Sequence, residues 1–169
     1  MLGILWLCAA ASADAANISR LPPGKHRVCI FDYDDTIKMS DDSVAKGAKY
    51  VTDACAARGY YLALATAGCA SSYVKSYLRT RVDPDQWTPD VLNSPAFQAC
   101  QPIKRYSIAG ILAHYGISGA PGCAVLFDQE VNHKFARETG VNFQLVDDRT
   151  GLRPSDFTGA EAMLEEKCE

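Results

Sequence analysis

No apolar run in the chain reaches about 18 residues, the length a helix needs to cross a bilayer, so no membrane-spanning segment is expected. A basic excess is also missing: 17 Lys and Arg stand against 20 Asp and Glu, a net charge of −3. That mildly acidic balance supplies no field for nucleic-acid phosphates, and no nucleic-acid surface is expected. The pattern GxxxxGK[ST] is absent, which excludes a P-loop nucleotide site. No CxxC or Cys/His spacing offers zinc a tetrahedral ligand set. Histidine is scarce, and His26, His114 and His133 fit no catalytic spacing; they read as surface or packing residues. Hydrophobic residues at 48% and charged residues at 22% exclude disorder, collagen-like repeats and coiled coil. The 169 residues suit one domain with a real core.

Residues 1–13 carry no charged side chain and hold a compact apolar run from Leu2 to Ala11, ending in small residues at Ala11-Ser12-Ala13. This is the pattern of a secretory signal peptide, although a basic start is missing, so a secreted or secretory-pathway protein is expected, with the cytoplasm as the alternative. Residues 14–26 read as a linker that includes Pro22-Pro23-Gly24, and 27–169 as the folded domain. Asn17-Ile18-Ser19 is a glycosylation sequon, meaningful only in a eukaryotic secretory pathway. Of seven cysteines, loss of Cys8 with the leader leaves six, an even number that disulfides can consume. Cys55, Cys69, Cys100 and Cys168 are the disulfide candidates, while Cys29 and Cys123, inside apolar runs, read as free buried thiols.

Short apolar runs at 27–32, 60–66, 123–128 and 142–146 read as strands. Helical spacing is present over about 43–58, 72–78, 103–115 and 131–139, with Gly59, Gly116 and Gly140 as terminators. Pro84, Pro89, Pro95 and Pro102 mark residues 80–102 as mostly loop with one short element. Thr158-Gly-Ala-Glu161 is a capping box for a last helix. The alternation predicts an α/β fold: a doubly wound, Rossmann-like parallel sheet flanked by helices. Ligands of such sheets sit beyond the carboxyl ends of the strands, where Asp32, Thr66 and Asp128 fall.

Asp32-Tyr33-Asp34-Asp35-Thr36 follows the first strand, so Asp32 and Asp34 can face one crevice. Clustered carboxylates need a cation or a proton. Together with Asp128 they form an oxygen-rich set suited to Mg²⁺. A carboxylate beside a metal can attack phosphorus. Thr66 offers a hydroxyl to the transferring phosphoryl group, and Lys104, opening a helix just after a proline, offers positive charge. Phosphoryl transfer uses all five residues. Taken singly, each has a plainer role: strand-end Asp and Thr residues are commonly turn formers or caps, and a lysine commonly lies on the surface. Asn132 reads as a helix-start residue; Tyr33 and Trp87 read as either packing or lining of the substrate mouth.

The sequence Asp32-x-Asp34-x-Thr36-Ile37 resembles the first motif of the haloacid dehalogenase superfamily. Leu64-Ala65-Thr66 resembles its second motif, Lys104 its third, and Leu126-Phe127-Asp128 with Asn132 its fourth. The motifs come in order, with 30 residues from Thr36 to Thr66, 38 to Lys104 and 24 to Asp128. Within that superfamily the chain is most similar to small magnesium-dependent phosphatases without a cap domain, since neither inter-motif gap holds one. The resemblance implies Asp32 as nucleophile and Asp34 as general acid, then base. It further implies Mg²⁺ held by the Asp32 and Asp128 carboxylates and the Asp34 carbonyl. The fourth motif commonly carries a second acidic residue where Gln129 stands here, a loss of charge that Asn132 or Glu130 can offset. Many members of that superfamily have glycine where Asp35 stands, but the position varies and the difference carries no weight.

The implied activity is hydrolysis of phosphomonoesters through an aspartyl-phosphate on Asp32. The substrate is a phosphorylated small molecule or macromolecule, and homo-oligomer formation is left open. A receiver domain is disfavoured because Lys104 precedes the last Asp and opens a helix. The alternative from another class is a catalytically weak or inactive metal- or ligand-binding protein on the same fold, favoured by Gln129.

Overall fold

The structure, a computed structural model, describes residues 26–168. The predicted signal segment, the sequon and nearly all of the predicted linker lie outside them.

Five strands form one all-parallel sheet, in the order β3-β2-β1-β4-β5. They are β1 (Val28–Phe31), β2 (Tyr61–Ala65), β3 (Phe97–Gln98), β4 (Ala124–Asp128) and β5 (Asn142–Leu145). The helices are α1 (Ala48–Ala57), α2 (Ser71–Tyr77), α3 (Pro89–Leu92), α4 (Lys104–His114), α5 (His133–Thr139) and α6 (Pro154–Lys167). The architecture is therefore α/β. β1 and β4 are buried along their whole length, which is why they read as continuous apolar runs and do not alternate.

Alternate strand residues feed two cores, one on each face of the sheet. Cys29, Phe31, Leu62, Leu64, Val125 and Phe127 pack with residues of α1, α2 and α6. Val28, Ile30, Ala63, Ala65, Ala124 and Leu126 pack with residues of α4 and α5. In the first core Phe31 stacks on Phe127 at 4.8 Å and meets the edge of Trp87 at 6.0 Å. Trp87 is thus a core residue and does not line a mouth. Emptying such a position to alanine costs about 3–5 kcal/mol.

Several boundaries move from the sequence expectation for identifiable reasons. The first helix begins at Ala48, not near 43, because the preceding amides are engaged elsewhere: Ala45 N–H donates to the Ile37 carbonyl and Gly47 N–H to the Leu152 carbonyl. The 80–102 stretch holds more than one short element. A widened helical turn (Leu78–Val82) extends α2, Pro89 occupies the first turn of α3 behind its Thr88 cap, and β3 pairs with β2 at the sheet edge. The last helix starts at Pro154, one turn before the predicted Thr158 box, and the Arg153 N–H is capped by the Asp156 carboxylate at 2.8 Å. Gly151, at φ 62°, lies where a Cβ would come within 2.8 Å of the Thr36 carbonyl oxygen, so the 147–153 turn can pack under the loop after β1.

Among the described residues three disulfides form: Cys29–Cys55, Cys69–Cys100 and Cys123–Cys168. This corrects the reading of Cys29 and Cys123 as free thiols. Both do lie buried in or beside strands, but the strand face carrying Cys29 is the one that α1 covers with Cys55, so burial and cross-linking coincide. The histidines pack against rings: His26 on Tyr61, His114 beside Tyr115, His133 on Phe143. No helix among the described residues is long and apolar enough to cross a membrane.

Candidate active site

The strand order runs outward in both directions from β1 and β4, and the site lies beyond the carboxyl ends of these two central strands. The register pairs Phe31 with Phe127, which brings the following residues, Asp32 and Asp128, side by side. The Asp32 N–H continues the ladder to the Phe127 carbonyl at 3.0 Å. Both side chains are buried, as is Lys104, the first residue of α4. The Lys104 Nζ lies 2.7 Å from Asp32 Oδ1 and 2.6 Å from Asp128 Oδ2. These distances are charge-assisted contacts in a dry environment.

Two carboxylates facing one ammonium leave a negative charge in excess. Burial first, then the Asp128 charge, push the Asp32 carboxyl up to about 7, against the lowering influence of Lys104 and the Tyr33 amide. Asp128 is held on its other oxygen, where Oδ1 accepts from the Gln129 N–H and from Asn132 Nδ2, both at 2.8 Å. Asn132 therefore does stand at a helix start, but its side chain turns to Asp128 and does not cap α5.

Asp34 is placed differently. Its side chain is 58% exposed and lies 3.5 Å from Lys38 Nζ. The loop that carries it is tight: the Ile37 and Lys38 amides both donate to the Tyr33 carbonyl, and Asp35 N–H donates to the Lys38 carbonyl at 2.7 Å. Asp35 takes φ 54°, a left-handed conformation that aspartate tolerates and glycine prefers. Tyr33 is buried, edge-on to Tyr77 at 5.5 Å, so packing is its role here.

Thr66 follows β2 and is buried, its hydroxyl accepting the Gly68 N–H at 3.2 Å. This is the local turn bond that a strand-end threonine commonly makes, and the hydroxyl proton still has a donor role to fill. Gly68 lies between two groups of interest, since a Cβ there would be 3.5 Å from Thr66 Oγ1 and 3.6 Å from Asp34 Oδ2. The Cys69–Cys100 disulfide closes the next step of this loop, beside a Cys100 N–H to Gly68 carbonyl bond of 2.9 Å.

The structure thus brings Asp32, Lys104 and Asp128 into direct contact, and sets Thr66 and Asp34 on either side of Gly68. Sequence reasoning did not find two participants. Gly68 has no side chain for a sequence pattern to mark. Gln129 was visible only as a missing acid, yet its Nε2 donates to the Asp34 carbonyl at 3.0 Å and to Thr36 Oγ1 at 2.8 Å.

Among the described residues no group of three or more His, Cys, Asp or Glu side chains surrounds one point. The donors available to a hard cation are the Asp32 and Asp128 carboxylates and the Asp34 carbonyl, an all-oxygen set carrying an unbalanced negative charge. Asp128 Oδ1 spends both lone pairs on Gln129 and Asn132, whereas Asp32, Asp128 Oδ2 and the Asp34 carbonyl each keep acceptor capacity, and oxygen donors of this kind are those Mg²⁺ takes. No protein-family model matches the chain, and no curated protein matches it.

Proposed function

We propose that the chain is a magnesium-dependent phosphatase of the haloacid dehalogenase superfamily, with a doubly wound, Rossmann-like domain over 27–169 and no cap. The observation that carries this reading is the buried Lys104 ammonium between the Asp32 and Asp128 carboxylates at the ends of the two central strands. A structural lysine has little reason to be 3% exposed against two acids. A lysine that must later meet a phosphoryl group has one.

The Asp32 carboxylate attacks phosphorus. The bond to the ester oxygen breaks, its electron pair goes to that oxygen, and the Asp34 carboxyl supplies the proton. Asp34, now a carboxylate, takes a proton from water, whose oxygen attacks phosphorus and releases Asp32 and inorganic phosphate. The Lys104 ammonium and the Thr66 hydroxyl hold the phosphoryl oxygens as charge spreads over them. Mg²⁺, held by Asp32, Asp128 and the Asp34 carbonyl, supplies Lewis-acid charge neutralisation when bound. Three disulfides among the six described cysteines support a secretory destination. The substrate is a phosphorylated small molecule or macromolecule.

A second reading, a non-catalytic metal- or ligand-binding protein of the same fold, is favoured by one contact. The Gln129 carboxamide occupies one lone pair of the Asp34 carbonyl, an oxygen the metal would use. Hydrolysis of p-nitrophenyl phosphate by the purified protein decides between them, run with Mg²⁺, with EDTA and with Asp32→Ala. Turnover that needs Mg²⁺ and vanishes in the variant is expected. A folded protein with no turnover there or on a panel of natural phosphate esters refutes the enzyme and leaves the binding protein.

A further inference from the structure

The steps just described make no use of Gln129, yet this residue joins three parts of the site. Its N–H donates to Asp128 Oδ1 at 2.8 Å, and its Nε2 donates to the Asp34 carbonyl at 3.0 Å and Thr36 Oγ1 at 2.8 Å. The end of β4 is thereby tied to the loop after β1. The Asp34 carboxylate has no comparable hold of its own. It is 58% exposed, its Lys38 contact of 3.5 Å is longer than a good hydrogen bond, and the surface beneath it is Gly68, which has no side chain. A solvent-facing carboxylate is aimed by its backbone, and the backbone of Asp34 is what Gln129 grips. The contact needs an NH₂ group: two hydrogens serve two acceptors, whereas a carboxylate at 129 would set its oxygens against the Asp34 carbonyl.

We propose that Gln129 is the positioning residue for Asp34, holding the β1 loop so that the Asp34 carboxyl meets the leaving-group oxygen. The assignment rests on the phosphatase reading above and adds to it the residue that aims the proton donor. The proton moves from Asp34 to the ester oxygen as the phosphorus–oxygen bond breaks. An alkoxide leaving group depends on that proton and a nitrophenolate does so far less. Misaiming Asp34 slows the later hydrolysis of the aspartyl-phosphate equally for both classes but penalises its formation, the step kcat/KM reports, selectively for alkyl esters. A damaged nucleophile, metal site or fold lowers kcat/KM for both classes alike.

The test uses Gln129→Glu and Gln129→Met, which keep the side-chain length and remove both donors. Turnover of phenethyl phosphate is compared with that of p-nitrophenyl phosphate, and amide hydrogen exchange is followed at Asp35 and Lys38, whose N–H groups close the loop. In both variants kcat/KM on the alkyl ester is expected to fall at least tenfold further than kcat/KM on the aryl ester, within the roughly 10²–10⁴-fold range of general-acid catalysis. Exchange at the two amides is expected to quicken at least tenfold. Equal losses of kcat/KM on the two esters, or unchanged exchange, overturn the role of Gln129 while leaving the phosphatase standing. A wild-type protein that turns over neither these esters nor a panel of natural phosphate esters, or an Asp32→Asn variant that matches the wild type, overturns the phosphatase reading and the proton-donor role with it.

Discussion

Replacing Asp32 with asparagine should make the metal-free protein more stable while removing its activity. In the absence of metal the Asp32 carboxyl is raised from 3.8 to about 7, first by burial and then by Asp128. Each tenfold gain in proton affinity is worth about 1.4 kcal/mol, so ionised Asp32 costs the folded state on the order of 4 kcal/mol above pH 7. Asparagine removes that charge and leaves Lys104 paired one-to-one with Asp128, at the cost of turning an amide toward the ammonium. The expected net gain is about 2–4 kcal/mol at pH 8, which in a domain of this size raises Tm by roughly 5–15 °C.

The sign with pH is fixed by the direction in which the carboxyl moves on folding. Because the folded-state pKa lies above the unfolded one, wild-type Asp32 takes up its proton as pH falls through about 7, and the penalty fades. Below about pH 4, where both states are protonated, it is gone. Thermal melts in EDTA at pH 8, 6 and 4 should therefore show an advantage for the variant that shrinks toward zero. A variant that melts at or below the wild type at pH 8, or an advantage that grows on acidification, refutes the reasoning. Excess Mg²⁺ should reverse the order at pH 8 by stabilising only the protein that keeps both carboxylates.

Cys69 and Cys100 are exposed whereas the other two disulfides are buried, so a mild dithiol should open Cys69–Cys100 first. Mass mapping of alkylated cysteines checks this, and label on Cys29 or Cys123 ahead of Cys69 would contradict it. The Cys69→Ser/Cys100→Ser double variant should lose about 2–4 kcal/mol in denaturant melts. Asp83 predicts an acid-labile contact: burial raises its carboxyl, but hydrogen bonds from Lys49 at 2.8 Å, with Asp53 and the Asp85 amide, hold it below the usual range overall. A depressed folded-state pKa means stability that is present above about pH 4 and lost as pH falls through the lowered value. Asp83→Asn should thus destabilise at pH 7 by an amount that shrinks as the pH is lowered, and a destabilisation that stays constant on acidification would count against the ion pair.

Strand and helix content was largely legible in the sequence because buried parallel strands and amphipathic helices leave local signatures. The runs ending in Asp32, Thr66 and Asp128 became strand ends, and Lys104 opened a helix as its place after Pro102 suggested. What local pattern could not decide was which distant groups meet. The contacts of Lys104 with Asp32 and Asp128 arise from the β1–β4 register and the packing of α4, both long-range outcomes. Cys29 looked like any buried strand residue until α1 laid Cys55 over it. Gln129 looked like a missing charge, and only the juxtaposition of two loops more than ninety residues apart turned its amide into a donor for Asp34 and Thr36. Residue types and their spacing determined what chemistry the chain can offer; packing determined which of those groups are dry, paired and aimed, because burial and hydrogen bonding depend on neighbours that sequence distance does not reveal.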